Sequence, residues 1–266
     1  MEKISHALTE LQEMDELAAR DTPIHNLHPL VKLIVTIAYI VAVVSFNKYD
    51  LFGLVIMVLY PILVFQMSGI PVKTCFYKLR IVLPLVCAVG LFNPFFDKAT
   101  LFYVGGVAIS GGVVSMFSLM IKGVFCLMAS FLLIATTPMD SLCAAFRKIK
   151  VPSMIVTLML LTYRYIAVMI EEVGVMNEAY HLRAPGQKGI HVSAWGSFLG
   201  QLLLRSMDRA DELYQSMQLR GFNGEFYYAD VKPCTAGGIV FMILCLAFFV
   251  AARLYNLPLL LGNLFI

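Results

Sequence analysis

Charge is scarce in this chain: Asp, Glu, Lys and Arg make up 14% of its 266 residues, whereas 60% are hydrophobic. With a mean hydropathy of +0.82, that shortage excludes an ordinary soluble globule and points to a chain embedded largely in lipid. No GxxxxGK[ST] phosphate loop is present, so ATP hydrolysis cannot belong to this chain. No acidic pair, HExxH or Ser/His arrangement falls within an apolar window, which leaves an intramembrane enzyme without its chemistry. None of the six cysteines (Cys75, Cys87, Cys126, Cys143, Cys234, Cys245) forms a CxxC pair, and they read as small core residues. His25 and His28 are three apart, but Pro29 follows and no helix can hold both on one face, so they read as turn residues rather than metal ligands. The net charge of +3 carries no nucleic-acid signal. The first ~28 residues are polar and acidic with no apolar core, so no cleavable signal is expected and the N-terminus is expected to stay on the side of synthesis.

What the chain has is long apolar windows. Five approach the ~20 residues that a helix needs to cross a bilayer: Leu30 to Phe46, Leu51 to Met67, Ile81 to Phe96, Gly112 to Thr136 and Ala236 to Ala252. Several are short, which implies tilt or local thinning. Lys73, Lys78 and Arg80 lie in the second connection, whereas the first and third hold only Lys48 and Lys98. After the fourth window come Arg147, Lys148, Lys150, Arg183, Lys188, Arg205, Arg209, Arg220 and Lys232. The positive-inside rule then places the N-terminus, the second connection and the long charged region in the cytoplasm. The expected organisation is a cytoplasmic segment over 1–28, four transmembrane helices within 29–137, a cytoplasmic helical region over 138–234 and a last span in 235–266. Gly105-Gly106 and Gly111-Gly112 read as an outer turn. Lys122 is a lone charge inside the fourth window, and the sequence names no partner for it.

The charged region reads as helices. Thr137-Pro138-Met139-Asp140 has the form of a helix start, with threonine as N-cap and proline at the first position, for a short helix to about Ile149. After Val151-Pro152-Ser153 a long helix runs to Ala184, ended by Pro185-Gly186, with Arg183 in its last turn. Ile166, Met169, Val173, Met176 and Tyr180 form one stripe of it, and Arg164, Glu171 and Glu178 lie on another face. Its first half, Met154 to Leu161, is apolar enough to span, but a crossing would put the basic stretch from Arg183 to Arg220 outside. The charge rule therefore favours a helix that starts at the membrane face and ends in the cytoplasm. A second amphipathic helix covers Ser193 to Arg220, with an apolar stripe of Trp195, Leu199, Leu202, Leu203, Ala210, Leu213, Tyr214 and Met217. Arg205, Asp208, Arg209 and Glu212 form its polar side, and Gly221 ends it.

Each of these two helices stops just after an arginine. A basic residue near a helix C-terminus favours the macrodipole by ~0.3 to 1 kcal/mol. An exposed guanidinium at a helix end can also enter a partner's groove and form charge-assisted bonds to a carboxylate, worth ~1.5 to 3 kcal/mol each. The two accounts are compatible.

In this order, several strings resemble the transmembrane (T) component of energy-coupling factor transporters, a branch of the ATP-binding-cassette importers. They are Pro23 to Leu33, Thr136 to Leu142, Val151-Pro152, Thr162-Tyr163-Arg164-Tyr165-Ile166 with Glu171-Glu172, and Leu204-Arg205-Ser206-Met207-Asp208-Arg209-Ala210 running into Met217 to Phe222. The resemblance is strongest to the cobalt and nickel type, with related forms serving vitamins. It implies an all-α polytopic membrane protein with about five transmembrane helices and long amphipathic cytoplasmic coupling helices. Leu182-Arg183-Ala184 and Leu219-Arg220-Gly221 would be the two coupling motifs, supported by Arg164, Glu171, Arg205, Asp208 and Arg209. The first departs from the commoner Arg-Gly form. The implied partners are two ABC-type ATPase subunits, which bind ATP and magnesium, a substrate-binding membrane (S) subunit, and the bilayer, with no nucleic acid and no cofactor held by this chain. A self-sufficient secondary transporter is the rival reading, but neither paired halves nor midplane helix breaks are legible in the sequence.

Overall fold

The computed structural model describes residues 2–48, 50–80, 82–92, 100–104, 107–187, 189–224 and 235–254. Lys98, Gly105, Gly106, Lys188, Lys232 and Cys234 lie outside the described residues. In chain order the helices are α1 (Glu2–Ala18), α2 (Pro29–Ser45), α3 (Leu51–Ile56), α4 (Leu59–Ser68), α5 (Val72–Leu79), α6 (Val82–Leu91), α7 (Gly111–Thr136), α8 (Met139–Lys148), α9 (Ser153–Arg183), α10 (Trp195–Leu219) and α11 (Ala236–Leu254). Among the described residues a short antiparallel hairpin joins β1 (Thr100–Val104) to β2 (Val107–Ser110), with Val104 paired to Val107. The chain forms two compact units, one of residues 17–138 and 231–266, the other of residues 1–16 and 139–230.

The first unit holds the apolar helices. α7 and α11 are long and apolar enough to cross a membrane, as is α9 of the other unit, while α2 and α6 are apolar but shorter. The five apolar windows thus correspond to α2, α3 with α4, α6, α7 and α11. The second window contains a turn between α3 and α4. α3 gives way to α4 at Met57–Val58, and α5 leaves the α3–α4 segment at 113°. Gly69 terminates α4 in the left-handed region at φ 65°, and Pro71 then precludes a continuous helix. At the first break the Tyr39 hydroxyl donates to the Met57 carbonyl at 3.0 Å. Tyr39, Tyr60 and Phe249 stack around it, with ring centroids 4.6 to 5.4 Å apart. Gly111 and Gly112, expected in a turn, open α7 and are buried. Further along α7, Gly123 lets α6 approach, since a Cβ there would lie 2.3 Å from Val86 Cγ1.

α2 and α7 are joined at both ends. Pro29 occupies the first turn of α2 and His28 caps it, its Nδ1 accepting the Leu30 N–H at 3.1 Å. Lys32, only 7% exposed, reaches the end of α7, where its Nζ donates to the Thr136 carbonyl at 2.6 Å and to the His25 carbonyl at 3.2 Å. Conversely Lys122 of α7 donates to the Phe46 and Val44 carbonyls at 2.5 and 3.4 Å, at the end of α2. Arg253 of α11 adds bonds to Ser45 Oγ and O at 3.3 and 3.2 Å, with its guanidinium over the Phe46 ring. Both helix C-termini thus meet ammonium groups, which satisfy carbonyls that have no partner within the helix and oppose their partial negative charge. Lys122 therefore has a partner after all: the backbone at the end of α2.

His25 is buried and tied on both ring nitrogens. Nε2 donates to the Leu17 carbonyl at 2.9 Å and lies 3.4 Å from that of Ala135, so Nδ1 is the unprotonated nitrogen that accepts from Thr22 Oγ1 at 2.6 Å. Burial holds its pKa below the ordinary 6.5, ahead of the raising effect of its carbonyl partners. Because the folded-state value lies below the unfolded one, the unfolded chain takes up the proton first. The stabilisation by His25 is complete above about 6.5 and is lost as pH falls through the folded-state value. Thermal unfolding in detergent should therefore show a falling Tm below pH 6.5, and His25→Gln should flatten that part of the profile.

The second unit is built on α8, α9 and α10. Its small core of Cys143, Val156 and Leu160 is flanked by Met139, Phe146 and Val151. Thr137 does not cap α8 as its position suggested. The helix begins at Met139, which leaves Thr137 one position too early to reach the first free N–H groups, and its buried hydroxyl has no hydrogen-bond partner among the described residues. Asp140 does lie in the first turn, and it pairs with Arg164 of α9 at 3.2 Å. Asp15 of α1 accepts from the Tyr163 hydroxyl at 2.5 Å.

Candidate interaction site at two helix ends

The arginine-bearing ends of α9 and α10 differ in how they are closed. At the end of α10, Arg220 is the capping residue and Gly221 adopts φ 81°. Gly221 N–H donates to Gln218 O at 2.9 Å and Phe222 N–H to Met217 O at 3.0 Å. This paired pattern is the Schellman closure, and Met217 and Phe222 line one cavity as its usual hydrophobic contact. α8 ends the same way on a residue with a side chain, Lys150 at φ 68°, where Lys150 N–H bonds Arg147 O and Val151 N–H bonds Phe146 O. At the end of α9 the left-handed glycine is displaced to Gly186, at φ 93°. Ala184 caps there instead with an N–H bond to Tyr180 O at 3.0 Å. The loop beyond is pinned by the Tyr180 hydroxyl, which donates to Gln187 Oε1 at 2.8 Å and accepts the His191 N–H at 3.2 Å.

The leucines that precede the arginines stand out. Leu182 is 84% and Leu219 90% exposed, where a leucine gains nothing from folding. Arg183 and Arg220 are exposed too, and neither makes an ion pair among the described residues. Each end therefore presents an apolar side chain beside a guanidinium with no ion-pair partner among the described residues, an arrangement fitted to a groove that has an apolar wall and a carboxylate.

Of the residues expected to support these ends, Arg164 holds α8 to α9 through Asp140, and Arg205 holds α10 to α9 through Glu172. Asp208 and Arg209 line a polar notch with Glu172, Arg205, Glu212 and Met169, and Arg209 lies 3.6 Å from Glu212. Glu171 is exposed and makes no ion pair among the described residues; its neighbour Glu172 carries the inter-helix bond. Helical periodicity separated the two glutamates by one 100° step but could not say which face met α10. A cavity of about 380 Å³ beside the notch is mainly apolar, lined by residues that include Leu158, Leu161, Leu213 and Met217.

Gly221 fixes where Arg220 points. Gly221→Ala meets nothing within 4 Å, so its cost is conformational and not steric. A residue with a Cβ held in the left-handed region loses about 1 kcal/mol or slightly more. Gly221→Ala should lower stability by that amount and Gly221→Asn by less, as read from denaturation in detergent.

Residues 20–228 match the family described as Cobalt transport protein, CbiQ. The chain belongs to that family. A cobalt transport protein CbiQ of Rhodobacter capsulatus is 29% identical over 117 residues, 43% of this chain and 47% of the relative. The chain thus spans about half the length of that protein. An energy-coupling factor transporter transmembrane protein EcfT of Limosilactobacillus fermentum is 26% identical over 255 residues, 87% of this chain and 94% of the relative. A nickel permease LarQ of Lactiplantibacillus plantarum is 29% identical over 91 residues, 34% of this chain and 33% of the relative. These relatives are named as transport components, and with its apolar helices this CbiQ-family chain is a multi-pass membrane protein. The matched region contains both arginine-bearing helix ends.

Proposed function

We propose that this chain is the transmembrane energy-coupling (T) subunit of an ECF-type ABC importer. Leu182-Arg183-Ala184 and Leu219-Arg220-Gly221 seat in two ATPase subunits, and α9 and α10 carry the resulting motion to a separate substrate-binding membrane subunit. ATP and magnesium are bound by the ATPase subunits, and this chain has no catalytic role. Cobalt or nickel is the solute, by analogy with relatives bearing those names. The carrying observation is the pair of exposed leucine–arginine tips on two stiff helices held together by Arg205 and Glu172. A lever needs elements that move as units, and packed helices do so. The charge rule keeps these tips in the cytoplasm, and with them the N-terminus, so α9 is read as a coupling helix although its length would allow a crossing.

The test is purification from mild detergent at native expression. ATPase chains should co-purify in a complex whose ATP hydrolysis is coupled to uptake of radiolabelled cobalt or nickel. A chain that purifies alone and transports after reconstitution without ATP would establish the secondary-transporter reading instead.

A further inference from the structure

Among the described residues the chain passes between its two compact units at residues 16–17 and 138–139. Within the membrane unit, these two crossings are tied to a single point. Leu17, its first residue, gives its carbonyl to His25 Nε2 at 2.9 Å, and the same nitrogen lies 3.4 Å from the Ala135 carbonyl. Lys32 Nζ donates to the carbonyl of the next residue, Thr136, at 2.6 Å, and back to the His25 carbonyl at 3.2 Å. Leu17, His25, Lys32, Ala135 and Thr136 are all buried. A buried ammonium is a poor source of stability, because an apolar side chain of similar volume often serves as well or better. What directional hydrogen bonds to fixed carbonyls add is a unique geometry.

We propose that His25 and Lys32 form a knot that fixes the two crossings to each other, so that Leu17 and Thr136 move as one body when the helices beyond them are displaced. They are positioning residues. The two segments that lead out of the membrane unit then leave it at a fixed separation, and a displacement applied beyond them is not dissipated by their parting. That consequence rests on the coupling role proposed above, but the knot itself does not.

The experiment places spin labels at Arg20→Cys and Ile134→Cys, both exposed positions on the membrane unit, in a chain whose native cysteines are replaced. In the isolated protein in nanodiscs, pulsed dipolar spectroscopy should give a single narrow distance. Lys32→Met should lose that single distance to a broadened or split distribution, while Lys32→Arg should keep most of it. If Lys32→Met fails to insert, His25→Gln, which removes the ring nitrogen that the Leu17 and Ala135 carbonyls share, serves as the second variant and should broaden the distance likewise. A wild-type distribution in the inserted variant overturns the knot. In the complex with its ATPase subunits, trapping with ATP and vanadate should leave the labelled distance unchanged. A shift of about one helical turn, ~5 Å, would show that the crossings separate and would equally overturn it. If no ATPase subunit binds, the coupling role fails while the measurement on the isolated chain still decides the knot.

Discussion

Replacing Arg220 by glutamate is expected to strip the ATPase subunits from the purified complex while leaving membrane insertion and helix content unchanged. The guanidinium is exposed and makes no ion pair among the described residues, so its loss leaves none of them without an ion-pair partner. Its helix end is closed by backbone bonds from Gly221 and Phe222, which the substitution does not touch. Within the chain, glutamate costs only the small macrodipole contribution of a misplaced charge. At a partner it removes a charge-assisted bond and sets like charges against each other, which together should weaken association roughly a hundredfold or more. Titration of ATPase subunits against reconstituted wild-type and variant chains measures it. Arg183→Glu should have a smaller effect, because Ala184 replaces the left-handed glycine and leaves the tip of α9 less firmly aimed. Retained ATPase binding by Arg220→Glu would return Arg220 to the role of a helix-end cation.

Helix periodicity made α9 and α10 legible to within about two residues, because each is bounded by residues that forbid continuation: Pro152 before α9, Pro185-Gly186 after it, and Gly221 after α10. The apolar windows were legible as apolar helices, of which α7 and α11 are by themselves long enough to cross a membrane, because lipid demands length and hydrophobicity together. What escaped is whatever depends on a neighbour. Glu172, and not Glu171, meets Arg205, and only the pairing of α9 with α10 decides between adjacent glutamates. The break at Met57 is offset by the hydroxyl of Tyr39 on another helix, and without that partner the window reads as continuous. Thr137 misled for the opposite reason: its local string fits an N-cap, but the observed helix starts one residue later and leaves the buried hydroxyl without a partner among the described residues. His25 was legible as a turn residue but not as the bridge between two distant carbonyls, since nothing local links it to Leu17 and Ala135.

Lys122→Met is expected to destabilise the protein by about 2 kcal/mol and to lower its Tm by roughly 4 to 8 °C. A charge inside an apolar helix is costly, and such residues usually mark a transport pathway. Here the ammonium donates to Phe46 and Val44 at the end of α2, while Lys32 on α2 serves the end of α7 in return. Methionine keeps the apolar stem but strands the Phe46 and Val44 carbonyls, which have no helical partner and little water to replace it. The loss is about that of one charge-assisted bond because Lys122 is only partly buried and its bond to Val44 is long and exposed. Lys122→Arg should recover most of the loss. Arg253→Met should cost less, since its bonds to Ser45 are exposed and longer. The double variant should be non-additive, because the two cations meet at adjacent residues, Val44 to Phe46, of one helix end. These quantities come from thermal unfolding in detergent, read beside uptake in proteoliposomes. Loss of transport by Lys122→Met with an unchanged Tm would place that lysine on a solute pathway instead of at the end of α2.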